Sequence, residues 1–284
     1  MVDAVGGVVG AVAEEVPMVM KGTLSPCRIL QGFGNRPDAP SLRPMELRDG
    51  LRSTGSVRAF STEPVTAQQV TAVLDTARFA PSGGNKQGWH VITVQDPGTR
   101  RELCDLAVLG WREYMGLTAA GHRPFATDDT GVWQGIPDGL SLDDLRTRPA
   151  PLQLLDELTD GVAMLIVCAD LRVIANVDVD SARTKLAAGG SIYPFVWNML
   201  LAARAEGLGG VMTTFVIRQQ EAARALLRIP DAFGIASMVF IGHPVHQNTK
   251  LTRRPVESFT TIDRFDGEPL RSARWTGPSM TDDD

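Results

Sequence analysis

The stretch FAPSGGNKQGW, residues 79–89, joins a helical pattern to a strand pattern, and the interpretation of the whole chain depends on it. Its proline and three glycines allow tight backbone turns, and its Ser, Asn, Lys and Gln side chains form hydrogen bonds. Such a composition is typical of a surface turn, of a phosphate-binding loop, or of the wall of a site for a flat, polar ligand. The rest of the sequence distinguishes among these three.

Regular elements flank this stretch on both sides. Thr66 followed by AQQVTAVLDTARFA predicts an N-capped helix, with Gln69 where a capping box reaches back. The segment WHVITV, residues 89–94, predicts a strand, and helical spacing returns in TRRELCDLAVLGWREYM. Later strand-like runs (AMLIVCAD, GVMTTFVI, ASMVFIGHP) alternate with helical ones (SIYPFVWNMLLAARAEG, QQEAARALL). The alternation predicts an α+β domain built as a three-layer sandwich.

Composition excludes several classes of function. A formal charge of −5 over 284 residues argues against a general nucleic-acid binder. The apolar run at 161–169 is far shorter than the roughly 20 residues that span a bilayer, and the N-terminus lacks the positive region of a signal peptide. Three widely separated cysteines suggest neither a disulfide framework nor a zinc knuckle. We therefore expect a cytoplasmic protein with no nucleic-acid or membrane partner.

The chain is expected to divide into three parts. Residues 1–44 carry no sustained period and predict an extended or partly disordered arm. Residues 45–275 form the predicted domain, in which the Gly-, Pro- and Asp-rich excursion at about 116–150 has the character of a lid. Residues 276–284 end the chain as a frayed acidic tail.

The sequence lacks the motifs that most catalytic mechanisms require. The four histidines do not form a metal-binding motif, and neither a GxSxG elbow nor a phosphate-binding P-loop is present. The GLGG at 207–210 follows a helix, so it is better explained as a helix terminus. Four pieces remain: Ser56-Val57-Arg58, the PSGGN stretch, Thr213-Thr214 and Arg253-Arg254. Taken alone, Ser56 and Arg58 are better explained as a helix end, Thr213 and Thr214 as strand residues, and the two arginines as a solvated surface.

Taken in order, four segments resemble the FMN-dependent nitroreductase family, especially its PSGGNxQ subgroup, which is related to the iodotyrosine-deiodinase branch. They are VRAFSTEPV, ARFAPSGGNKQGWHVITV, GLGGVMTTF and RRPVESF, and the resemblance covers about residues 46–260. It implies a nitroreductase-like sandwich with a mostly antiparallel central sheet flanked by helices. It also implies an intertwined homodimer with FMN bound at the subunit interface.

The resemblance implies a role for each cationic piece. Ser56 would contact the FMN phosphate or ribityl chain, and Arg58 would lie near N1 and O2 of the ring, stabilising the reduced anion. Arg253 would pair with the phosphate, assisted by Arg254 or Lys250.

The remaining pieces would contact the flavin ring. Thr213 and Thr214 match positions that offer hydrogen-bond donors toward N5. Residues 79–89 would approach the ring from the other subunit. Their contacts would come from Pro81, Ser82, Gly83, Asn85 and Gln87. No metal ion is expected in the site.

One position departs from the family pattern. An arginine usually stands two residues before the serine, and here that place is taken by Thr54. One positive charge for the phosphate is therefore missing, and Arg52 or Lys250 is expected to replace it. Otherwise FMN should bind more weakly than usual.

The implied function is that of an FMN oxidoreductase. NAD(P)H would reduce the flavin and leave, and an electron-poor small molecule such as a nitroaromatic or a quinone would then accept the electrons. No side chain need act as a nucleophile, and Trp111, Tyr114 and the 116–150 excursion would close the substrate pocket. Two alternatives stay open: a specialised member, such as a reductive dehalogenase or biosynthetic flavin dehydrogenase, and a degenerate flavin-sequestering or regulatory protein.

Overall fold

The computed structural model describes residues 45–271 except 157 and 159. The predicted arm at 1–44 and the predicted tail at 276–284 lie outside the described residues, so both stay predictions, as do the domain limits. Among the described helices, none combines the length and the apolar character needed to cross a membrane.

A four-stranded antiparallel sheet forms the middle of the domain. Its strands are β1 (Trp89–Val94), β2 (Ala163–Asp170), β3 (Gly209–Thr213) and β4 (Phe233–Gly242). Their order in the sheet is β1-β2-β4-β3, so β1 and β3 form opposite edges. Every neighbouring pair of these strands is antiparallel.

Helices cover both faces of the sheet. The α-helices of the described residues are α1 (Leu47–Ser53), α2 (Ala67–Ala77), α3 (Pro97–Ala119), α4 (Leu142–Thr147), α5 (Gln153–Asp156), α6 (Tyr193–Ala205) and α7 (Gln220–Leu227). Short 3₁₀ turns occupy Gly83–Asn85, Ala187–Ser191, Phe215–Gln219 and Val256–Ser258.

Local sequence explains where these helices begin and end. The predicted capping box is confirmed, because the Thr66 hydroxyl accepts a hydrogen bond from the Gln69 amide and the Gln69 side chain accepts one from the Thr66 amide. Pro194 lies in the first turn of α6, where its missing N–H costs no helical hydrogen bond. Gly207 follows α6 with φ +76°, the left-handed conformation that ends helices.

Strand β2 shows how the three layers are held together. Leu165, Val167 and Ala169 face the cluster formed with α2 and α6, whereas the alternate residues Met164 and Ile166 face the cluster formed with α3 and α7. Both faces are therefore dry, and each buried aliphatic side chain contributes roughly 1.5–3 kcal/mol of transfer free energy. The predicted three-layer α+β sandwich with an antiparallel sheet is confirmed. A single chain does not test the intertwined homodimer, which stays a prediction.

The structure of residues 116–150 differs from the predicted excursion in two ways. Helix α3 continues to Ala119, so residues 116–119 are helical. The excursion also contributes to the core, because Leu145 of α4 is fully buried and packs so closely on α3 that a Cβ at Gly116 would lie 2.5 Å from its Cδ2 atom. The lid role itself stays a prediction.

Candidate functional site

Ser56 and Arg58 lie beside the first residues of β3. Between them the buried Val57 donates its amide to the carbonyl of Gly210 over 3.0 Å. The close contact between Val57 and β3 requires a glycine at position 209, because a Cβ there would lie 2.5 Å from Val57 Cγ2. With Val57 turned inward, the flanking Ser56 and Arg58 are both exposed to solvent.

The segment that precedes Arg253 folds back onto the same place. The Gln247 side chain donates to the Gly55 carbonyl over 3.3 Å. A Cβ at Gly55 would lie 2.8 Å from the Asn248 carbonyl oxygen and 3.0 Å from Leu251 Cδ2. Arg253 follows Leu251 by two residues, roughly 7 Å of extended chain at most. The structure thus brings the first and last predicted cationic pieces to one end of β3.

We call Arg58, Arg253 and Arg254 the basic end. All three are exposed. Within the described part of the chain, Arg58 and Arg254 have no hydrogen bond or ion pair, and Arg253 donates only to the carbonyl of Thr252, over 2.8 Å. Guanidinium groups without a carboxylate partner can offer paired donors to an anion such as a phosphate.

Thr54, the residue that departs from the family pattern, is hydrogen-bonded to α1. Its side chain is almost fully buried, and its hydroxyl donates to the Gly50 carbonyl of α1 over 2.7 Å. Of the two predicted replacements, Lys250 stands between Asn248 and Leu251, which both contact Gly55. Arg52 is exposed in the last turn of α1, and no contact of its side chain is described.

Hydrogen bonds within the chain hold the opening loop in shape. The Ser82 hydroxyl accepts the amide of Gln87 over 2.9 Å, and the Gly83 amide donates to the Ser191 hydroxyl over 3.0 Å. Asn85 and Gln87 adopt positive φ values of 52° and 50° while their side chains remain exposed. Left-handed conformations outside glycine cost free energy and cluster at functional sites.

The loop and β3 lie at opposite edges of the sheet. The loop leads into β1, and the sheet order places three inter-strand spacings between β1 and β3, roughly 14 Å. Among the described contacts of the single chain, none joins Pro81, Ser82, Gly83, Asn85 or Gln87 to the basic end or to Thr213. Their predicted contact with the ring from another subunit stays a prediction.

An aromatic pocket of about 510 Å³ opens beyond the other end of β3. The predicted Tyr114 and Thr214 both line it. The predicted Trp111 stacks on Tyr114 with ring centroids 5.7 Å apart, and its indole N–H donates to the Pro151 carbonyl over 3.2 Å. Thr213 lies one residue before the pocket, and its hydroxyl accepts the Phe215 amide over 3.5 Å. The complete lining is Tyr114, Phe125, Trp133, Tyr193, Thr214, Phe215, Ile217 and Arg218.

The sequence analysis missed a buried ion-pair cluster behind this pocket. The carboxylate of Glu113 is completely buried and accepts hydrogen bonds from Arg146 Nε over 2.7 Å and from Arg218 Nε over 2.6 Å. The signal was present, because Glu113 continues the spacing of the buried α3 residues Leu103, Ala107, Gly110 and Leu117. An acidic residue on an apolar stripe indicates a buried partner of opposite charge.

The described cysteines and the possible metal ligands are the other candidate reactive groups. Burial raises the pKa of the Cys104 and Cys168 thiols to about 11, so both are protonated at neutral pH. Across the described ranges, no group of three or more His, Cys, Asp or Glu side chains is arranged to hold a metal ion.

Comparison with known proteins gives one consistent result. An FMN reductase (NAD(P)H) of Bacillus subtilis is 26% identical over 213 residues, covering 75% of this chain and 72% of that protein. A nitrobenzene nitroreductase of Ectopseudomonas oleovorans is 25% identical over 231 residues, covering 75% of this chain and 95% of that protein. A solved BluB-like flavoprotein of Clostridium difficile 630 shares the fold, with a TM-score of 0.54 at 19% identity over 78% of this chain and 100% of that one. A model of the nitroreductase family matches residues 51–243. The chain therefore belongs to the nitroreductase family.

Proposed function

We propose that this protein is an FMN-dependent oxidoreductase that transfers electrons from NAD(P)H to an electron-poor organic acceptor. The observation that carries the proposal is the layout along β3: at one end arginines that form no ion pair with any described residue, and at the other an aromatic pocket. Relatives named as an FMN reductase (NAD(P)H) and a nitrobenzene nitroreductase support the same chemistry. The proposal includes membership of the PSGGNxQ subgroup, and rates of flavin reduction with NADH and with NADPH determine the preferred donor.

The residues at both ends fit FMN, which is a flat ring system joined through a ribityl chain to a phosphate. Arg253 and Arg254 of the basic end supply exposed guanidinium groups for the phosphate, and the Val57–Gly210 hydrogen bond keeps Ser56 and Arg58 facing outward. Thr214 follows Gly210 by four residues, roughly 13 Å at strand spacing. An elongated ligand can therefore span from the basic end to the pocket.

Each end has its own task in this proposal. Arg58 offers positive charge where the reduced ring gains electron density, and the Thr213 and Thr214 hydroxyls offer hydrogen bonds at its reacting edge. Bound FMN supplies the hydride-accepting and hydride-donating centre that the side chains of this chain lack. Tyr114, on which Trp111 stacks from outside the lining, forms an apolar wall that keeps water away from the reacting centre.

The donor and the acceptor would use one cavity in turn, in a ping-pong reaction. For a quinone acceptor, the overall reaction converts NAD(P)H, a proton and the quinone into NAD(P)⁺ and the hydroquinone. The loop of residues 81–87 joins the site only in a dimer, because it lies at the opposite edge of its own sheet. We therefore include the homodimer in the proposal.

The visible spectrum of the purified protein after addition of FMN tests this function. We expect a bound flavin spectrum that NADH or NADPH bleaches and that a quinone or nitroaromatic restores, from a protein that is dimeric by light scattering. Arg58→Ala should lower FMN occupancy or slow flavin reduction. Arg264→Ala is the matched control, because Arg264 is 82% exposed and its partner within 4 Å is the surface residue Asp266.

One observation favours a second function. Thr54 stands where the family pattern has an arginine and is buried against α1, so this position supplies no positive charge for the phosphate. If FMN binds weakly or not at all, the degenerate flavin-sequestering or regulatory protein becomes the better explanation, whereas bound FMN that neither nicotinamide reduces would indicate an enzyme with another electron donor. Unchanged flavin content and reduction rate in Arg58→Ala would remove the role given to that residue.

A further inference from the structure

Arg218 is the cation that lines the aromatic pocket. Its guanidinium carbon lies 4.7 Å from the centroid of the Phe125 ring and 5.6 Å from that of Trp133. Phe125 holds this place with φ +52°, a conformation that is rare for a bulky residue. The local backbone thus accepts strain where an aromatic ring covers the guanidinium, which is typical of a functional site.

The cation is fixed from behind. Arg218 Nε is bonded to the buried carboxylate of Glu113, and Arg146 bonds the other oxygen of that carboxylate. Two guanidinium groups and one carboxylate leave the cluster with a net charge of +1. The side chain of Arg218 is 28% exposed, so neither bulk water nor a surface carboxylate fully screens that charge.

The two terminal nitrogens of Arg218 can donate hydrogen bonds to a ligand. Among the described residues, the bond to Glu113 is the sole hydrogen bond that the Arg218 side chain makes. The other lining residues of the pocket are aromatic, aliphatic or hydroxyl-bearing, and none is acidic. An aromatic pocket with one fixed cation and free N–H donors suits a ligand that is itself aromatic and carries an anionic group.

We infer that Arg218 selects acceptors that carry an anionic substituent, a carboxylate on an aromatic ring being the simplest case. The inference rests on the proposed function, since it names the substrate class of the same site. Two terminal N–H donors can bind both oxygens of a carboxylate, and Tyr114, Tyr193 and Phe215 surround its ring. Glu113 is the positioning residue, because it acts only through Arg218.

An anionic group could also come from the electron donor, because NAD(P)H carries phosphates. The two sources make different demands on the pocket. An acceptor brings its charge within one ring length of the reacting atom, whereas the phosphates of NAD(P)H are remote from the nicotinamide ring. The covering rings of Phe125 and Trp133 favour the compact aromatic anion, and the experiment includes an arm for the donor.

The test compares two ligands of nearly equal shape on the FMN-loaded enzyme. Calorimetric titration without NAD(P)H measures the binding of 4-nitrobenzoate and of the neutral 4-nitrobenzamide, neither of which is reduced under that condition. We expect the wild-type protein to bind the anion about tenfold more tightly, the effect of one charged hydrogen-bonded contact. Arg218→Gln should abolish this preference, and Arg218→Lys should restore part of it.

Two further arms keep the result interpretable. Arg101→Gln removes one exposed charge from the same helix as Tyr114, thirteen residues or roughly 20 Å away, and should leave the preference intact. The Michaelis constants for NADH and NADPH should change less than about twofold in Arg218→Gln, well below the tenfold effect of a lost charged contact. If Arg218→Gln does not fold, the preference of the wild-type protein still tests the inference.

Equal affinity of the wild-type protein for the two ligands would overturn the inference. So would a loss in Arg218→Gln that falls on NAD(P)H alone, or a variant that keeps the preference, since Arg218 would then merely pin Phe125 and Trp133. The proposed function is judged separately, by FMN uptake and by NAD(P)H-driven reduction of the neutral amide. An enzyme that reduces both ligands with equal affinity would therefore retain the function and lose the inference.

Discussion

The basic end and the aromatic pocket both present arginine to a ligand, but they hold it differently. Arg58, Arg253 and Arg254 are exposed and have no ion-pair partner among the described residues. Arg218 is nearly three-quarters buried, bonded to a carboxylate and covered by two rings. The basic end therefore supplies several flexible positive charges, whereas the pocket holds one guanidinium group in a fixed orientation.

The difference is one of entropy and screening. An exposed arginine gives up side-chain freedom worth up to about 2 kcal/mol when a ligand orders it, and salt weakens its attraction. Arg218 has already been ordered by Glu113 during folding, and its surroundings screen it less. We expect the basic end to contribute affinity that depends on ionic strength, and the pocket to contribute discrimination between ligands.

The largest effect should come from breaking the fixed arrangement. Glu113→Gln leaves Arg146 and Arg218 facing each other in a partly buried place, and removing one partner of a buried ion pair typically costs about 3–5 kcal/mol. We expect the free energy of unfolding to fall by about 3 kcal/mol, measured by urea denaturation. Glu102→Gln, an exposed residue of the same helix, is the control.

The same measurement sharpens the contrast between the two regions. Arg58→Gln should change the free energy of unfolding by no more than about 0.5 kcal/mol, as exposed substitutions generally do. Similar losses for Glu113→Gln and Arg58→Gln would mean that the two arrangements do not differ in the way described.

The next effect concerns affinity at the basic end. One charged hydrogen bond contributes about 1.5–3 kcal/mol, and we expect the two arginines together to supply one such bond to the phosphate, so Arg253→Gln combined with Arg254→Gln should weaken FMN binding by about ten- to a hundredfold. Quenching of flavin fluorescence at two salt concentrations measures both the loss and a flatter salt dependence. Arg264→Gln serves as the control. A double variant with wild-type affinity would place the phosphate elsewhere.

Local signals in the sequence were sufficient for most of the fold. The capping box at Thr66, the short apolar strands and the glycine after α6 all act over a few residues, so each could be predicted without its neighbours in space. The β3 layout was partly accessible too, since Thr213 and Thr214 end a strand whose start contacts the Ser56–Arg58 segment.

Long-range pairings were not accessible in the same way. Glu113 and Arg218 are 105 residues apart, and nothing local connects them. Phe125 and Leu145 belong to an excursion whose Gly- and Asp-rich composition predicts a loop. That composition indicates neither the contact of the Phe125 ring with Arg218 nor the burial of Leu145. Membership of the nitroreductase family was predictable from ordered motifs, whereas the residues that would set substrate preference depend on contacts that only the folded chain creates.

The smallest effect should come from the two candidates for the charge that Thr54 does not supply. Lys250 lies between two residues that contact Gly55, whereas no contact of the Arg52 side chain is described. A single exposed charge contributes up to about 1 kcal/mol, so Lys250→Gln should weaken FMN binding by about two- to fivefold, and Arg52→Gln by less than that. Titration of FMN against both variants at low ionic strength measures the difference. A larger loss for Arg52→Gln would assign the compensation to α1, and no loss in either would mean that Arg253 and Arg254 are sufficient for the phosphate.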